Sequence, residues 1–213
     1  MRSSWDETVA RSNYHFDRTI DDSGLLVKLG TLANTWEDDL ERIIHNSKPA
    51  TWATRGYKGQ GIPNPTEDLK AEEYDIERIG ADPDMIITNM NWLIPGSLHA
   101  ITKQFALRDC MERIHVQYPG QVWNRHMDKL QKWNPEDPNS VLRVFIQLTA
   151  WQPGQFWEIG NYQYSGWEAG TVFTFDTNNV PHCTANAGHH PRVTFQITGI
   201  KTEQTIAFLQ SLR

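Results

Sequence analysis

The sequence predicts a mainly β protein with flanking helices, built as an antiparallel barrel or jelly roll. Three observations carry that expectation. From residue 110 onward the chain runs in short stretches rich in β-branched and aromatic residues, several of them alternating, as in "VLRVFIQLTA". Gly, Pro or Asn bounds each stretch. No helix-length periodic segment separates them, and strands at this spacing without intervening helices suggest an antiparallel barrel or jelly roll.

The elements follow in order. "GLLVKLG" (24–30) reads as a short strand, and "NTWEDDLERIIHN" (34–46) as a helix with Asn34 as N-cap and Trp36, Leu40, Ile43 and Ile44 on one face. "TRGYKGQGIPNPTED" (54–68) is a Gly/Pro-rich loop, long enough to act as a lid in which Arg55, Tyr57 and Lys58 would touch a substrate. "DMIITNMNWLI" (84–94) reads as a strand, and "SLHAITKQFALRD" (97–109) as a helix capped by Ser97. Strands are then expected in "MERIHVQYPG" (111–120), "VLRVFIQLTA" (141–150), "GQFWEIGNYQYS" (154–165), "GTVFTFDT" (170–177) and "RVTFQITGIK" (192–201), with a closing helix in "EQTIAFLQSL". The expected organisation is one domain over 1–213: a mixed α/β flank (1–109), a jelly-roll core (110–201) and a C-terminal helix (202–213).

Composition narrows the function classes. With 213 residues, 38% apolar content and nine Trp, the chain can bury a sizeable core. No apolar run is long enough to span a bilayer, and the first residues lack a signal-peptide core, so a cytoplasmic protein without a membrane partner is expected. Cys110 and Cys183 show no zinc-ribbon or disulfide spacing. A net charge of −6 without a Lys/Arg run argues against duplex nucleic acid as a partner.

The motif that carries chemistry is His126-Met127-Asp128 with His182 downstream and Arg192-Val193-Thr194 ten residues further on. An HxD alone is weak, since eight His and fourteen Asp produce about half an occurrence by chance. Two imidazoles and a carboxylate, however, make a facial ligand set that leaves one face of an octahedron open, as Fe(II) oxygen chemistry requires. Residues two apart on a strand share a face, so His126 and Asp128 can grip one ion if His182 arrives from a neighbouring strand. Arg192 offers a planar fork matched to a carboxylate, and Thr194 points the same way and can donate one more hydrogen bond. A second HxD, His15-Phe16-Asp17 with His45 and Arg55, lacks this setting and reads as coincidence.

These residues resemble the signature of the Fe(II)/2-oxoglutarate-dependent oxygenases. The stretch "SGWEAGTVFTFDTNNVPHCTANAGHHPRVTFQITG" (165–199) looks most like the aspartyl/asparaginyl β-hydroxylase branch, with its Trp-x-x-Gly turn, Phe-Asp strand end, distal His, Asn and Arg. The resemblance covers about residues 110–200 and leaves 1–109 unassigned. Animal aspartyl hydroxylases of that branch lack the acidic ligand. This chain keeps Asp128 and so looks closer to complete-triad members, among them proline hydroxylases. The resemblance implies a cupin-like double-stranded β-helix. It implies Fe(II) held by His126, Asp128 and His182, and 2-oxoglutarate held by Arg192 and Thr194. It implies O₂ as co-substrate, release of succinate and CO₂, and hydroxylation of an amino acid, free or in a peptide or protein.

Further site candidates follow from strand register. Arg143 faces opposite to Leu142, Val144 and Ile146, together with Phe145 and Gln147; in the branch it resembles, an Arg here serves a carboxylate of co-substrate or substrate. His115 and Gln117 alternate with Ile114 and Val116 and face the same cavity, which Trp123, Trp151 and Trp167 could wall and Trp133 could edge. Asp176 could orient His182. His189 and His190 read as exposed turn residues. Two other readings stay open: a non-catalytic barrel sensing a metal or small carboxylate, and another cupin metalloenzyme. Arg192 with Thr194 favours the oxygenase, because a plain metal cupin has no need of a carboxylate anchor.

Overall fold

The structure is a computed structural model that describes residues 19–51, 84–128, 130 and 133–212. The expected lid over 54–68, the first HxD and Arg55 lie outside the described residues. Among the described residues eleven strands form two antiparallel sheets. They are β1 (Val27–Thr31), β2 (Lys48–Thr51), β3 (Ile86–Asn91), β4 (Arg108–Gln117), β5 (Val122–His126), β6 (Val141–Gln147), β7 (Gln155–Ile159), β8 (Tyr162–Tyr164), β9 (Thr171–Thr174), β10 (His182–Asn186) and β11 (Arg192–Ile200). Three helices flank them: α1 (Glu37–His45), α2 (Gly96–Phe105) and α3 (Glu203–Ser211).

The large sheet has the order β1-β9-β6-β11-β4-β3-β2, and the small sheet β5-β10-β7-β8. From β4 onward the chain swings between them, so β4, β6, β9 and β11 fall in one sheet and β5, β7, β8 and β10 in the other. That is the winding of a jelly roll, the double-stranded β-helix. The first half of the chain adds β1 to one edge of the large sheet and β3 and β2 to the other.

Apolar side chains on the outer face of the large sheet, including Ile114, Val144, Ile146, Val193, Phe195 and Ile197, pack with Trp36 and Ile43 and with Leu98, Ile101 and Phe105 of α2. Trp36 is fully buried, and its indole N–H donates to Leu148 O at 2.9 Å. A second, aromatic cluster lies between the sheets, with Phe145 at 4.9 Å from Trp157 and 5.2 Å from Phe173. Among the described residues no helix is long and apolar enough to cross a membrane.

Several boundaries differ from the sequence reading, each for a local reason. Helix α1 begins at Glu37; Asn34 instead accepts from Trp36 N at 3.2 Å, just outside it. Helix α2 stops at Phe105 because Ala106 turns left-handed (φ 48), and Arg108 then opens β4, so 106–109 are not helical. Ser97 is not its cap; its hydroxyl donates to Asp39 Oδ2 at 2.5 Å and ties α2 to α1. The stretch 24–30 divides into a 3₁₀ turn (Ser23–Leu25) and β1. The stretch 154–165 breaks at Gly160 (φ 59) into the β7–β8 hairpin. Strand β2 carries no strand signal in the sequence because Pro49 sits in it, which an edge strand tolerates. Gly170 follows the expected Trp-x-x-Gly turn: its φ is +86, and a Cβ there would stand 2.2 Å from Leu32 O.

Candidate metal centre and its pocket

The small sheet assembles the ligand set. β10 pairs with β5 so that His182 stands directly opposite His126, and their rings lie 4.3 Å apart. Asp128 follows two residues after His126, just past the end of β5, where its N–H donates to Thr177 O at 2.7 Å. One nitrogen from each histidine and one carboxylate oxygen lie within 4.8 Å of one another. Asp128 Oδ1 is 3.8 Å from His126 Nε2, and Oδ2 is 3.9 Å from His182 Nε2.

The tautomers are set by the backbone. His126 Nδ1 donates to Asn124 O at 2.7 Å, and His182 Nδ1 donates to Val180 O at 3.0 Å. Both rings therefore turn a bare Nε2 lone pair toward the carboxylate, as a metal ligand must. Burial pushes His182 below its ordinary value and favours the neutral, ligating form. At Asp128 burial works upward, but the Arg143 guanidinium, the two imidazoles and the Thr177 hydroxyl outweigh it and hold the carboxyl well below the usual carboxylate range. Bonds of about 2.1 Å at right angles place donors about 3 Å apart, so closure on an ion asks for movement of about 1 Å. Donor chemistry, tautomer and charge all fit a divalent ion.

A pocket enclosing about 550 Å³ of empty space, counting its open mouth, runs from this cluster between the sheets. Its wall includes Arg192, Thr194, Arg143, Phe145 and His115, together with Trp157 and Trp123. Arg192 is buried at the start of β11; its Nη1 donates to Phe156 O at 3.1 Å, and its Cζ lies 5.1 Å from the Trp157 ring. Thr194 shares its face and donates its hydroxyl proton to Gln147 Oε1 at 2.9 Å. Trp123 stacks on His126 at 5.4 Å and fixes the ring plane.

Other sequence candidates are placed differently. Arg143 lines the pocket, where its Nη1 is hydrogen-bonded to Asp128 Oδ2 and its Nε to Thr198 Oγ1 at 2.9 Å, so it grips the carboxylate of Asp128. Gln117 lies outside the wall because its amide donates to Thr184 and Ile87 O, bridging the sheets. Trp151 and Trp167 also lie outside it, packed in the aromatic cluster with their indole N–H groups on Gln155 O and Thr149 O. Trp133 hydrogen-bonds Asp109 O away from the pocket. Asp176 caps the turn at Asn178 and Asn179 rather than touching His182. His189 and His190 are exposed in the loop before β11. His115 stays in the wall, held by Gln196 Oε1 at 3.2 Å. Sequence reading passed over Arg113, Gln196 and Trp157. The same alternation that picked out His115 and Arg143 would have found all three, since each sits on the inner face of its strand.

No protein-family model matches this chain, and no curated protein matches it. Solved structures with similar winding include a prolyl-4-hydroxylase from Pseudomonas putida, at 19% identity over 76% of this chain and 99% of that one, TM-score 0.44. A viral collagen prolyl hydroxylase from Paramecium bursaria Chlorella virus-1, in a 2OG complex, matches at 12% identity over 66% and 94%, TM-score 0.38. The cupin domain of an XRE family transcriptional regulator from Enterobacter cloacae matches at 10% identity over 55% and 99%, TM-score 0.36. At these distances the jelly roll rests on the chain's own strand order, and the candidate metal centre on its own donors.

Proposed function

We propose that this chain is an Fe(II)- and 2-oxoglutarate-dependent oxygenase that hydroxylates an amino acid, free or within a peptide or protein, most like the complete-triad members of the aspartyl/asparaginyl β-hydroxylase branch. One observation carries the reading: two imidazole nitrogens and a carboxylate converge beside a pocket that also holds a buried arginine. Iron bound there would supply the oxygen chemistry, in which O₂ is consumed, 2-oxoglutarate becomes succinate and CO₂, and one oxygen atom is inserted into a substrate C–H bond.

The chain's own residues do the rest. His126 and His182 present Nε2 because Asn124 O and Val180 O hold their other nitrogens. Asp128 stays anionic under Arg143. Arg192 would hold the far carboxylate of 2-oxoglutarate and so aim its keto-acid end at the ligand set. Phe145 and Trp157 give the pocket an apolar wall that keeps water from the reacting atoms.

The test is direct. Protein purified without oxygen is given Fe(II) and 2-oxoglutarate, air is admitted, and succinate is measured. Succinate that depends on Fe(II) is expected; absence of both succinate and 2-oxoglutarate binding would sink the reading. Arg192→Met should weaken 2-oxoglutarate binding by at least about tenfold while iron binding is kept.

A further inference from the structure

We propose that Arg113 and His115 form the recognition bay for the substrate that is oxidised, and that they read the carboxylate and the amine of a free α-amino acid. This rests on the proposed function and chooses between its two substrate classes, since an internal residue of a peptide has neither group on its backbone.

Both residues sit on β4, two positions apart on the inner face, and both line the pocket. Gln196 brings their ends together. It stands directly opposite Arg113 in the β4–β11 register, and its Oε1 lies 3.2 Å from His115 Nε2, so the imidazole leans toward Arg113. Of the charged groups that act on the ring, Arg113 acts most strongly. The bay opens beside the ligand set: His115 lies 5.2 Å from the Trp123 ring, which stacks on His126. Arg192 leans to the other side. It donates to Phe156 O on β7, whereas Trp123 belongs to β5, and β10 separates those two strands. The bay is thus distinct from the place given to 2-oxoglutarate.

Its chemistry is complementary to the head of an amino acid. His115 Nε2 donates to Gln196 Oε1, and the other end of that amide turns to Thr198 Oγ1 at 3.5 Å. Burial, then the Arg113 and Arg143 charges, keeps the ring neutral. Nδ1 is therefore a bare lone pair, without a partner among the described residues, on a side chain only 6% exposed. A buried acceptor left unmet in a pocket wall calls for a donor, and an amine N–H supplies one. Arg113, 2% exposed, brings a planar fork of five donors, steadied by Met111 Sδ at 3.3 Å and by the Trp92 ring 5.4 Å from its Cζ. Such a fork matches a carboxylate. A free amino acid carries both groups on one carbon, and its carboxylate offsets the guanidinium charge that would otherwise repel an ammonium.

The experiment uses calorimetry on full-length protein loaded with Mn(II) and 2-oxoglutarate. The standard free L-amino acids are titrated in turn. The tightest binder is then compared with its amide, its N-acetyl derivative and its N-acetyl amide, the last of which mimics an internal residue. The wild type should prefer the free acid to its amide by at least about tenfold, and the free amine to its N-acetyl form by at least about threefold. Arg113→Met should abolish the first preference and keep the second. His115→Phe keeps a ring without the lone pair, and should do the reverse. Affinity for 2-oxoglutarate should hold in both variants. This crossed pattern is one that a merely structural role would not give, since lost packing would weaken every form alike. If Arg113→Met does not fold, His115→Phe decides the question. An N-acetyl amide that binds as tightly as the free acid would overturn the inference and leave an oxygenase of peptide residues standing. So would both variants keeping the wild-type preferences, or no free amino acid binding to a protein that still binds 2-oxoglutarate and forms succinate. A wild type that neither binds 2-oxoglutarate nor forms succinate overturns the proposed function, and this inference with it.

Discussion

The two faces of the large sheet are both buried, and they are opposite in character. On β11 all nine residues are buried. Val193, Phe195 and Ile197 join the core with Trp36, Leu98 and Phe105, whereas Arg192, Thr194 and Gln196 line the pocket. β4 and β6 repeat the division: Ile114 and Val116 against Arg113 and His115, and Val144 and Ile146 against Arg143. Burial alone therefore does not tell a residue that stabilises from one that serves the site. The dry face gains by excluding water. The polar face costs stability at every group left without a partner. A protein with no ligand to bind would be more stable with an apolar inner face, so a buried polar face beside a pocket points to a ligand.

Substitutions on the two faces should separate stability from binding. The largest stability effect is expected on the dry face. Phe195→Ala removes a fully buried ring and should cost about 3–5 kcal/mol, read from denaturant unfolding, while the folded fraction keeps its Mn(II) affinity. A loss of metal affinity at matched folded concentration would break the comparison. Arg143→Met is the counterpart on the polar face. Arg143 holds Asp128 through Oδ2 and steers the carboxylate toward the histidines, so its loss should weaken Mn(II) binding by about 10- to 100-fold. Because its loss also leaves the Asp128 carboxylate buried without its cation, the metal affinity is read at matched folded concentration, where it should fall for Arg143→Met and hold for Phe195→Ala.

Much of this arrangement was legible in the sequence because period-two alternation states which residues share a face. It placed Arg143 with Phe145 and His115 opposite Ile114. It did not say which face is wet, and for these strands neither is. The ligand set was legible from spacing, since HxD with a distant His and Arg is a one-dimensional trace of β5, β10 and β11. What stayed hidden was pairing. His182 meets His126 only because β10 registers against β5, and Arg143, on β6 of the large sheet, meets Asp128, just past β5 of the small one, only through the packing of the two sheets. Trp151 and Trp167 looked like pocket walls by residue type, but their indole N–H groups sit on local carbonyls and turn the rings into the aromatic cluster.

His115 offers the finest test, because it lies on the polar face and its ring can titrate. Its Nε2 meets Gln196 Oε1, while burial, then Arg113 and Arg143, push its pKa down to about 3. An unfolded chain would protonate the same ring near 6.5. Between those values the unfolded state binds more protons, so the stability this neutral ring permits is fully present above about pH 6.5 and is lost as pH falls. Metal-free wild type should therefore lose about 1 kcal/mol more than His115→Asn between pH 7.5 and 5.5, since asparagine cannot titrate. Parallel curves for the two proteins would mean that the ring is hydrated or charged in the fold. The inner face would then be an open, wet surface rather than a sealed polar wall, and the contrast with the dry face would reduce to ordinary exposure.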